Sequence, residues 1–170
     1  MVVIVTGLPG SGKSYFAIRA AQMLNAKYIS SDKLRKEMFA KPTYSSAEKL
    51  WVYNEMMRRT TEALEQRKDI VLDATFYSND LRQKFMNETK NISEAYVIEV
   101  YAQEDLVKER LSLPREESDA DFKVYTTVKK EWEPYNEEHL VLRSTNHNIT
   151  EMLERTANYL FEENDKRKHP

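Results

Sequence analysis

The chain contains no cysteine, which excludes disulfide bonds, thiol catalysis and cysteine-based zinc sites. It has no excess of positive charge either, since 26 Lys and Arg stand against 28 Asp and Glu for a net charge of −2. No global positive field therefore draws it onto long nucleic acid, and any nucleic-acid contact must be local. No apolar run approaches the roughly 20 residues that cross a bilayer, and the first residues lack the pattern of a cleavable signal. We therefore predict a cytoplasmic protein with no membrane role.

The length and the order of the apolar segments predict one α/β domain. At 170 residues the chain is long enough for one substantial core and too short for two typical domains. Strand-like runs alternate with amphipathic helical runs, which is typical of a parallel sheet of about five strands between helices. We expect this domain over 1–164 and a charged, flexible tail over 165–170. The predicted strands are 2–5, 27–30, 70–73, 95–101 and 140–142. The predicted helices are 15–24, 32–40, 45–67, 79–89, 103–111, 119–132 and, beginning at a capping Asn148, 148–162.

The longest predicted helix, 45–67, carries a capping box and an apolar stripe. Ser45 followed by Glu48 matches the capping box. Apolar residues recur at three- and four-residue steps, so we expect them to face the core. These residues are Ala47, Leu50, Trp51, Met57 and Leu64. The same spacing predicts packing roles for Met56 and Trp132, while an aromatic platform that stacks bases remains the open alternative.

A glycine-rich turn between the first strand and the first helix predicts a nucleotide site. The turn reads Gly7-Leu8-Pro9-Gly10-Ser11-Gly12-Lys13-Ser14 and is followed by Tyr15. Its glycines let successive N–H groups point inward at phosphate oxygens, and the following helix adds its positive end. Lys13 is expected to reach the β- and γ-phosphates and Ser14 to ligate Mg²⁺. We therefore predict that residues 7–15 bind a nucleoside triphosphate, the alternative being a plain glycine turn.

Two carboxylates lie at the carboxyl ends of predicted strands. Asp32 follows the second strand, where ligand sites of α/β sheets lie, and a carboxylate there can accept the proton of an attacking hydroxyl. The alternative is that Ser31 or Asp32 caps the next helix. Asp73 ends the third strand beside the glycine-rich turn and suits Mg²⁺, directly or through water. Its alternative role is to cap the loop at Ala74 and Thr75.

Four segments together resemble the P-loop kinase family that includes the 5′-hydroxyl polynucleotide kinase domain and many small kinases of similar length. They are the turn at 7–14, Ser30-Ser31-Asp32-Lys33-Leu34-Arg35, Leu72-Asp73-Ala74-Thr75, and the stretch from Arg110 through Arg115 to Ser118-Asp119-Ala120. Their order is the family's, and the resemblance covers most of the chain. It implies a kinase that uses ATP and Mg²⁺, with Asp32 as general base and Lys13 in the catalytic set.

The resemblance also implies three residues that bind the acceptor. Arg35 would face the same cleft as Asp32 and bind a phosphate of the acceptor, as in similar kinases. If the acceptor carries no phosphate, Arg35 is instead a surface residue. Thr75 and Arg82 follow the third strand, where related proteins place a polar residue and an arginine in contact with the acceptor.

A mobile lid near 103–132 is a further implication of the resemblance. Arg110 and Arg115 flank a turn within it, and an arginine on a lid neutralises the charge that spreads over a transferring phosphoryl group. The alternative is a solvated, mixed-charge helix face. Ser118-Asp119-Ala120 resembles the family's helix start, and the spacing of Ser118 and Asp121 predicts a capping pair.

The predicted activity is transfer of the γ-phosphoryl group of ATP to an acceptor hydroxyl. The resemblance favours a nucleic acid 5′ end as acceptor. The negative net charge favours a small-molecule kinase that acts on a nucleoside, a sugar or an antibiotic. A hypothesis of another class is a nucleotide-switched regulatory ATPase, although a switch has no need of Asp32 beside Arg35.

Overall fold

The computed structural model describes residues 1–113 and 120–168, with side chains described as far as residue 162. Within those residues the strands are β1 Val2–Thr6, β2 Lys27–Ser30, β3 Ile70–Asp73, β4 Ala95–Tyr101 and β5 Leu140–Arg143. The helices are α1 Lys13–Met23, α2 Ser31–Met38, α3 Ser46–Glu65, α4 Asn79–Thr89, α5 Glu104–Leu111, α6 Phe122–Glu131 and α7 Ile149–Lys168. Among these described helices, none combines the length and the apolar character that a bilayer-spanning segment requires.

The five strands form one parallel sheet in the order β2-β3-β1-β4-β5. β1 lies at its centre, and every residue of β1 is buried, which explains the unbroken run of β-branched side chains. In the register, Asp73 pairs with Val5 on one side and with Ser30 on the other. The carboxyl ends of β1, β2 and β3 therefore meet at one edge of the sheet, where α/β proteins bind ligands.

Alternate side chains of β1 enter two hydrophobic clusters on opposite faces of the sheet. Val2 and Ile4 join the cluster that contains side chains of α2, α3 and α4. Val3 and Val5 join the cluster that contains side chains of α1 and α7. Helices thus cover both faces of the sheet, which confirms the predicted α/β class.

The predicted bounds of β2, β3, β4 and α4 are confirmed, but the last two helices differ from the prediction. α6 begins three residues later than expected, because the Asp121 side chain is its N-cap and accepts a backbone N–H of the first turn at 2.8 Å. α7 continues to Lys168 instead of ending near residue 162. Asn148 precedes α7, yet its side chain accepts the N–H of Thr145 at 2.8 Å and so orders the preceding loop.

The apolar stripe predicted for α3 is wrong for its N-terminal half. Leu50 and Trp51 are 56% and 57% exposed, and Ala47 is exposed as well. The face that packs on the sheet is instead formed by Val52, Tyr53, Met56, Thr60, Ala63 and Leu64. Ser45 caps the helix as predicted, since its Oγ accepts the N–H of Glu48 at 3.3 Å. The position of the helix in the sequence was therefore predicted correctly, but the face that it buries was not.

The end of α3 is closed by a residue in the left-handed conformation. Arg67 has a φ of 57°, and its N–H donates to the Leu64 carbonyl at 2.8 Å. The next N–H, of Lys68, donates to the Ala63 carbonyl at 3.0 Å. This pair of bonds is the Schellman motif, in which glycine is the usual left-handed residue. Asn25, with a φ of 50°, closes α1 in the same way.

Candidate active site

The turn between β1 and α1 requires glycine at three positions. Gly7, Gly10 and Gly12 have φ values of 151°, 78° and 88°, a region that residues with a side chain rarely adopt. Space is short too, because a Cβ on Gly12 would lie 2.7 Å from Ser144 Oγ and 3.0 Å from Arg110 Nη1. At Gly12 the turn therefore packs so closely against Ser144 and Arg110 that a residue with a side chain does not fit without a shift of these neighbours.

The N-terminus of α1 is suited to bind an anion. Its N-cap is Gly12, which has no side chain to satisfy the first N–H groups, and no acidic residue lies in the first turn. Such N–H groups have no intrahelical partner and attract phosphate. In addition, Ser11 Oγ is buried without a hydrogen-bond partner among the described residues. The arrangement supports the predicted grip on phosphate oxygens.

A cavity of about 490 Å³, which we call the donor cavity, opens beside this turn. Its walls come from the turn, the start of α1, the end of α5 and the loop between β5 and α7. The described lining residues are Gly10, Gly12, Lys13, Ser14, Tyr15, Phe16, Arg110, Leu113, Ser144, Thr145, Asn146, Ile149 and Met152. They include two cations, Lys13 and Arg110, and no carboxylate. The charge of this part of the wall therefore suits a polyphosphate.

Arg110 lies in the last turn of α5 and reaches the glycine-rich turn. Its Nη1 donates to Ser144 Oγ at 2.8 Å and to the Gly10 carbonyl at 3.3 Å. Burial lowers the pKa of this guanidinium. Its contacts with the turn and with Ser144 favour a place in the site over the alternative of a solvated charged face. Arg115, the other predicted lid arginine, lies outside the described residues, as do residues 118–119.

Asp73 occupies the position predicted for a magnesium ligand. Its carboxylate is buried, and Oδ2 accepts the Tyr28 hydroxyl at 2.6 Å. Oδ1 has no hydrogen-bond partner among the described residues. Burial raises the pKa of this carboxyl, and the Lys13 charge and the Tyr28 and Ser14 hydroxyls partly oppose that shift. An orphaned buried carboxylate oxygen beside a hydroxyl is the donor set that a hard divalent cation prefers, so the residues fit Mg²⁺.

A second cavity, of about 450 Å³, opens on the other side of Lys13, and we call it the acceptor cavity. Lys13 lines both cavities. Predicted site residues Asp32, Arg35 and Thr75 line the acceptor cavity, together with aromatic side chains from two loops and one face of α6. The structure thus brings four predicted residues from three separate segments into one continuous cleft.

Asp32 faces the acceptor cavity instead of capping α2. The N-cap is Ser30, whose Oγ accepts the N–H of Lys33 at 3.4 Å. The Asp32 side chain is 28% exposed and accepts a bond from Arg35 Nη1 at 3.3 Å. The capping alternative for Ser31 and Asp32 is therefore wrong, and the carboxylate remains available to a group in the cavity.

Arg35 is held in the cavity wall by a residue for which the sequence indicated another role. It is buried, and its Nε donates to Glu48 Oε1 at 2.8 Å. The other carboxylate oxygen of Glu48 accepts the N–H and the hydroxyl of Thr43 at 2.6 and 2.8 Å. Glu48 therefore does not reach back to Ser45 as a capping box requires. The alternative of a surface position for Arg35 is wrong as well.

Arg82 does not reach the acceptor cavity, which corrects the predicted contact with substrate. Its side chain is fully buried and donates to the carbonyls of Phe76 and Glu133 at 2.6 and 2.5 Å and to Asn79 Oδ1 at 2.7 Å. The guanidinium also lies 5.4 Å from the ring of Trp132. Arg82 therefore ties the loop after β3 to the segment after α6. No feature of the sequence distinguishes this role from a contact with substrate.

The fold, the glycine-rich turn and the paired cavities define a nucleotide-binding α/β protein of the P-loop kinase class. The AAA_33 family model, described as an AAA domain, matches residues 2–135, so the chain belongs to this P-loop kinase family and the resemblance is confirmed. One curated relative, an L-seryl-tRNA(Sec) kinase of Methanococcus maripaludis, is 28% identical over 99 residues, which are 57% of this chain. The matched region is 39% of that relative's length.

Solved structures with the same fold include kinases of several kinds. A gluconokinase from Sinorhizobium meliloti superposes with a TM-score of 0.69 at 18% identity, covering 95% of this chain and 96% of that one. The Mycobacterium tuberculosis APS kinase CysC, solved with AMPPNP and APS, gives 0.71 at 18% identity, covering 94% and 96%. The Pnkp1/Rnl/Hen1 RNA repair complex gives 0.65 at 17% identity, covering 76% and 43%. At these identities the likeness shows the fold, and membership in the kinase family indicates phosphotransferase activity.

Proposed function

We propose that the protein transfers the γ-phosphoryl group of ATP to a hydroxyl group of a second substrate. The observation that carries this proposal is the position of Lys13, which lines both the donor and the acceptor cavity. Groups bound in the two cavities therefore meet at one ammonium ion. The described lining of the donor cavity, with its two cations and no carboxylate, supports binding of a triphosphate there.

In the proposed reaction the acceptor oxygen forms a bond to the γ-phosphorus while the bond from that phosphorus to the β,γ-bridging oxygen breaks. The hydroxyl proton passes to the Asp32 carboxylate, which lines the acceptor cavity. ADP leaves with the bridging oxygen. Lys13 stabilises the negative charge that develops between the two substrates. Arg35, bonded to Asp32, fixes the orientation of that carboxylate.

Ser14 and Asp73 are the residues that would hold Mg²⁺. The fit rests on Asp73 Oδ1, which is buried and unpartnered within the described part of the chain. Tyr28 holds the other oxygen of the carboxylate at 2.6 Å and so fixes its orientation. When bound, Mg²⁺ supplies charge neutralisation at the β- and γ-phosphate oxygens. Arg110, already in the donor cavity wall and bonded to the Gly10 carbonyl, adds positive charge beside the turn.

Two acceptor classes are compatible with the names of the similar proteins. Gluconokinase and APS kinase are named for small molecules, whereas L-seryl-tRNA(Sec) kinase and the RNA repair complex are named for RNA. An acceptor cavity of about 450 Å³ has room for either a small metabolite or one terminal nucleotide. We propose a nucleic acid 5′ end as the acceptor, because the protein surface beside the acceptor cavity carries aromatic and basic side chains.

The proposal is tested by offering γ-labelled ATP with a panel of 5′-hydroxyl oligonucleotides, nucleosides, sugars and amino sugars. We expect label to move to an acceptor and Asp32→Asn to slow that transfer by at least about a hundredfold. Calorimetry should give the same heat of MgATP binding for both proteins. The matched control is Asp105→Asn, which removes a carboxylate from a fully exposed site on α5. Label appearing only as inorganic phosphate, at a rate that Asp32→Asn leaves unchanged, would instead identify a regulatory ATPase.

A further inference from the structure

One half-buried aromatic ring, directly after α2, and two exposed apolar side chains on α3 form a patch on the surface. The rings of Phe39 and Trp51 stack with their centroids 6.0 Å apart and their planes 8° from parallel. Trp51 is 57% exposed, and the adjoining Leu50 is 56% exposed. We call Phe39, Leu50 and Trp51 the aromatic patch. Apolar groups that adjoin one another on a surface mark interaction sites more often than isolated ones do.

The aromatic patch lies close to the acceptor cavity at the end of α2. α2 carries Asp32 in its first turn and ends beside Phe39. Arg35, which lines the acceptor cavity, lies four residues before Phe39, and residues at this spacing are neighbours on a helix surface. Tyr44, in the loop between the helices, also lines the cavity and is 43% exposed. The helical rise of about 1.5 Å per residue separates Asp32 from Phe39 by about 10 Å.

The charge around the patch is opposite in sign to that of the whole chain. Residues 31–51 contain five Lys and Arg and three Asp and Glu, whereas the whole chain has a net charge of −2. Two of those acids, Glu37 and Glu48, already pair with arginines at 2.8 Å. Lysines 33, 36 and 41 are exposed on the same segments. Exposed aromatics among basic side chains are the combination that binds single-stranded nucleic acid, by stacking bases and attracting phosphates.

We propose that the aromatic patch binds the strand whose terminal 5′-hydroxyl enters the acceptor cavity. The inference rests on the proposed function and specifies its acceptor as single-stranded nucleic acid. Stacked nucleotides rise about 3.4 Å each along a strand, so a span of about 10 Å corresponds to about three nucleotides. The first nucleotide presents its hydroxyl to Asp32, and a base about three positions further on stacks against Trp51.

A binding experiment tests the patch without requiring turnover. The chain has two tryptophans, so Trp132→Phe leaves Trp51 as the only tryptophan, which can be excited selectively over the tyrosines. Titration of this variant, loaded with MgAMPPNP, with 5′-hydroxyl hexauridylate should quench the fluorescence, and added salt should weaken the binding. Adding Phe39→Ala should weaken it about tenfold. The control is Phe161→Ala, on α7 and 74% exposed, which should leave the affinity unchanged. A fluorescence that does not respond to the oligonucleotide overturns the proposal.

A length series tests the same inference during catalysis. Acceptors from one to six nucleotides should show a kcat/KM that rises about tenfold up to three or four nucleotides and then levels off. Trp51→Ala should remove that rise and leave transfer to the shortest acceptor unchanged. A rise of the same size in the variant overturns the proposal. If phosphoryl transfer occurs but does not depend on Trp51, the proposed kinase activity is supported and the proposed role of the patch is contradicted. If the oligonucleotide quenches the fluorescence but no transfer occurs, the role of the patch is supported and the kinase activity is contradicted.

The patch has one competing occupant, a second copy of the chain. Sedimentation equilibrium distinguishes the two, because a strand-binding surface leaves the protein monomeric at micromolar concentration with the patch intact. A dimer that Trp51→Ala dissociates and that hexauridylate does not disturb would overturn the proposal.

Discussion

Arg35 and Glu48 form a buried ion pair that joins α2 to α3 at the wall of the acceptor cavity. The Arg35 Nε lies 2.8 Å from Glu48 Oε1, and the two side chains are only 9% and 4% exposed. Thr43 donates its N–H and its hydroxyl to the other oxygen of the carboxylate. The pair therefore fixes Arg35, which also contacts Asp32.

Replacing Glu48 by glutamine should lower the free energy of unfolding by about 3 kcal/mol, because it leaves the Arg35 charge buried without its main counter-ion. Urea unfolding near pH 7 measures the change. Glu62→Gln is the matched control, since Glu62 is exposed on the same helix and pairs with Arg58 at 3.3 Å. Its loss should cost less than about 1 kcal/mol. Equal effects from the two substitutions would contradict a stabilising role specific to the buried pair.

The same carboxyl should make stability depend on acid. Burial raises the pKa of Glu48, but hydrogen bonds from Thr43 and Tyr44 and the charge of Arg35 outweigh it, so the pKa lies below the ordinary 4.5. A carboxyl with a lowered pKa stabilises the fold above its unfolded value, and this contribution is lost as pH falls through the folded value. We expect the urea midpoint of the native chain to fall more steeply below pH 5 than that of Glu48→Gln. Parallel curves would show that Glu48 does not contribute.

Arg82→Met should destabilise the fold by about 3 kcal/mol, since it leaves two carbonyls and an amide oxygen without their donor. Lys84→Met is the control, because Lys84 is exposed two residues further along α4 and its loss should cost less than about 0.5 kcal/mol. Chemical unfolding measures both. A stable Arg82→Met protein whose only defect is a higher KM for the acceptor would restore the substrate contact that the sequence predicted.

Gly12→Ala should abolish donor binding and lower stability by about 1–3 kcal/mol. The new Cβ would lie 2.7 Å from Ser144 Oγ, and the φ of 88° is strained for alanine. Calorimetry with MgATP and thermal unfolding measure the two effects. Adding Ser144→Ala relieves the contact but not the backbone strain, so it should recover only part of the stability. Full recovery would show that the contact alone makes glycine necessary.

Much of the fold could be predicted because local patterns determine it. The runs at β3 and β4 are rich in apolar and β-branched residues and β2 is a short run between two helices, and the bounds of all three were predicted correctly. The buried face of α3 was not predicted correctly, because the apolar periodicity is compatible with two different faces of that helix. Packing against the sheet determines which of the two is buried. Trp51 was assigned to the core on spacing alone, although α3 turns it outward beside Phe39.

The site divides in the same way. The glycine-rich turn depends on residues adjacent in sequence, so its motif predicted its position between β1 and α1 directly, while its binding of phosphate stays a prediction. Glu48 was predicted only as part of a capping box, since nothing in the sequence shows that it approaches Arg35 thirteen residues earlier. Arg82 was misassigned because its partners, the carbonyls of Phe76 and Glu133, are backbone groups that any residue could supply.

Arg67→Gly should stabilise the protein by about 0.5–1 kcal/mol, because Arg67 closes α3 with a φ of 57° that glycine adopts without strain. Thermal unfolding measures the gain. Asn25→Gly, at the same place after α1, should gain less, since asparagine tolerates this conformation better than arginine. A loss of stability from Arg67→Gly would mean that its side chain makes a contribution larger than the strain.

The position of Lys13 between two cavities has a consequence for inhibitor design. The cavities measure about 490 and 450 Å³ and share one cation, so a single compound that joins an adenosine polyphosphate to an acceptor fragment could fill both. Tethering the halves makes the second contact intramolecular, which raises affinity beyond that of either half alone. A bisubstrate ligand of this kind would also bind this chain in preference to other P-loop proteins. Its acceptor half contacts cavity residues that lie outside the glycine-rich turn that P-loop proteins share.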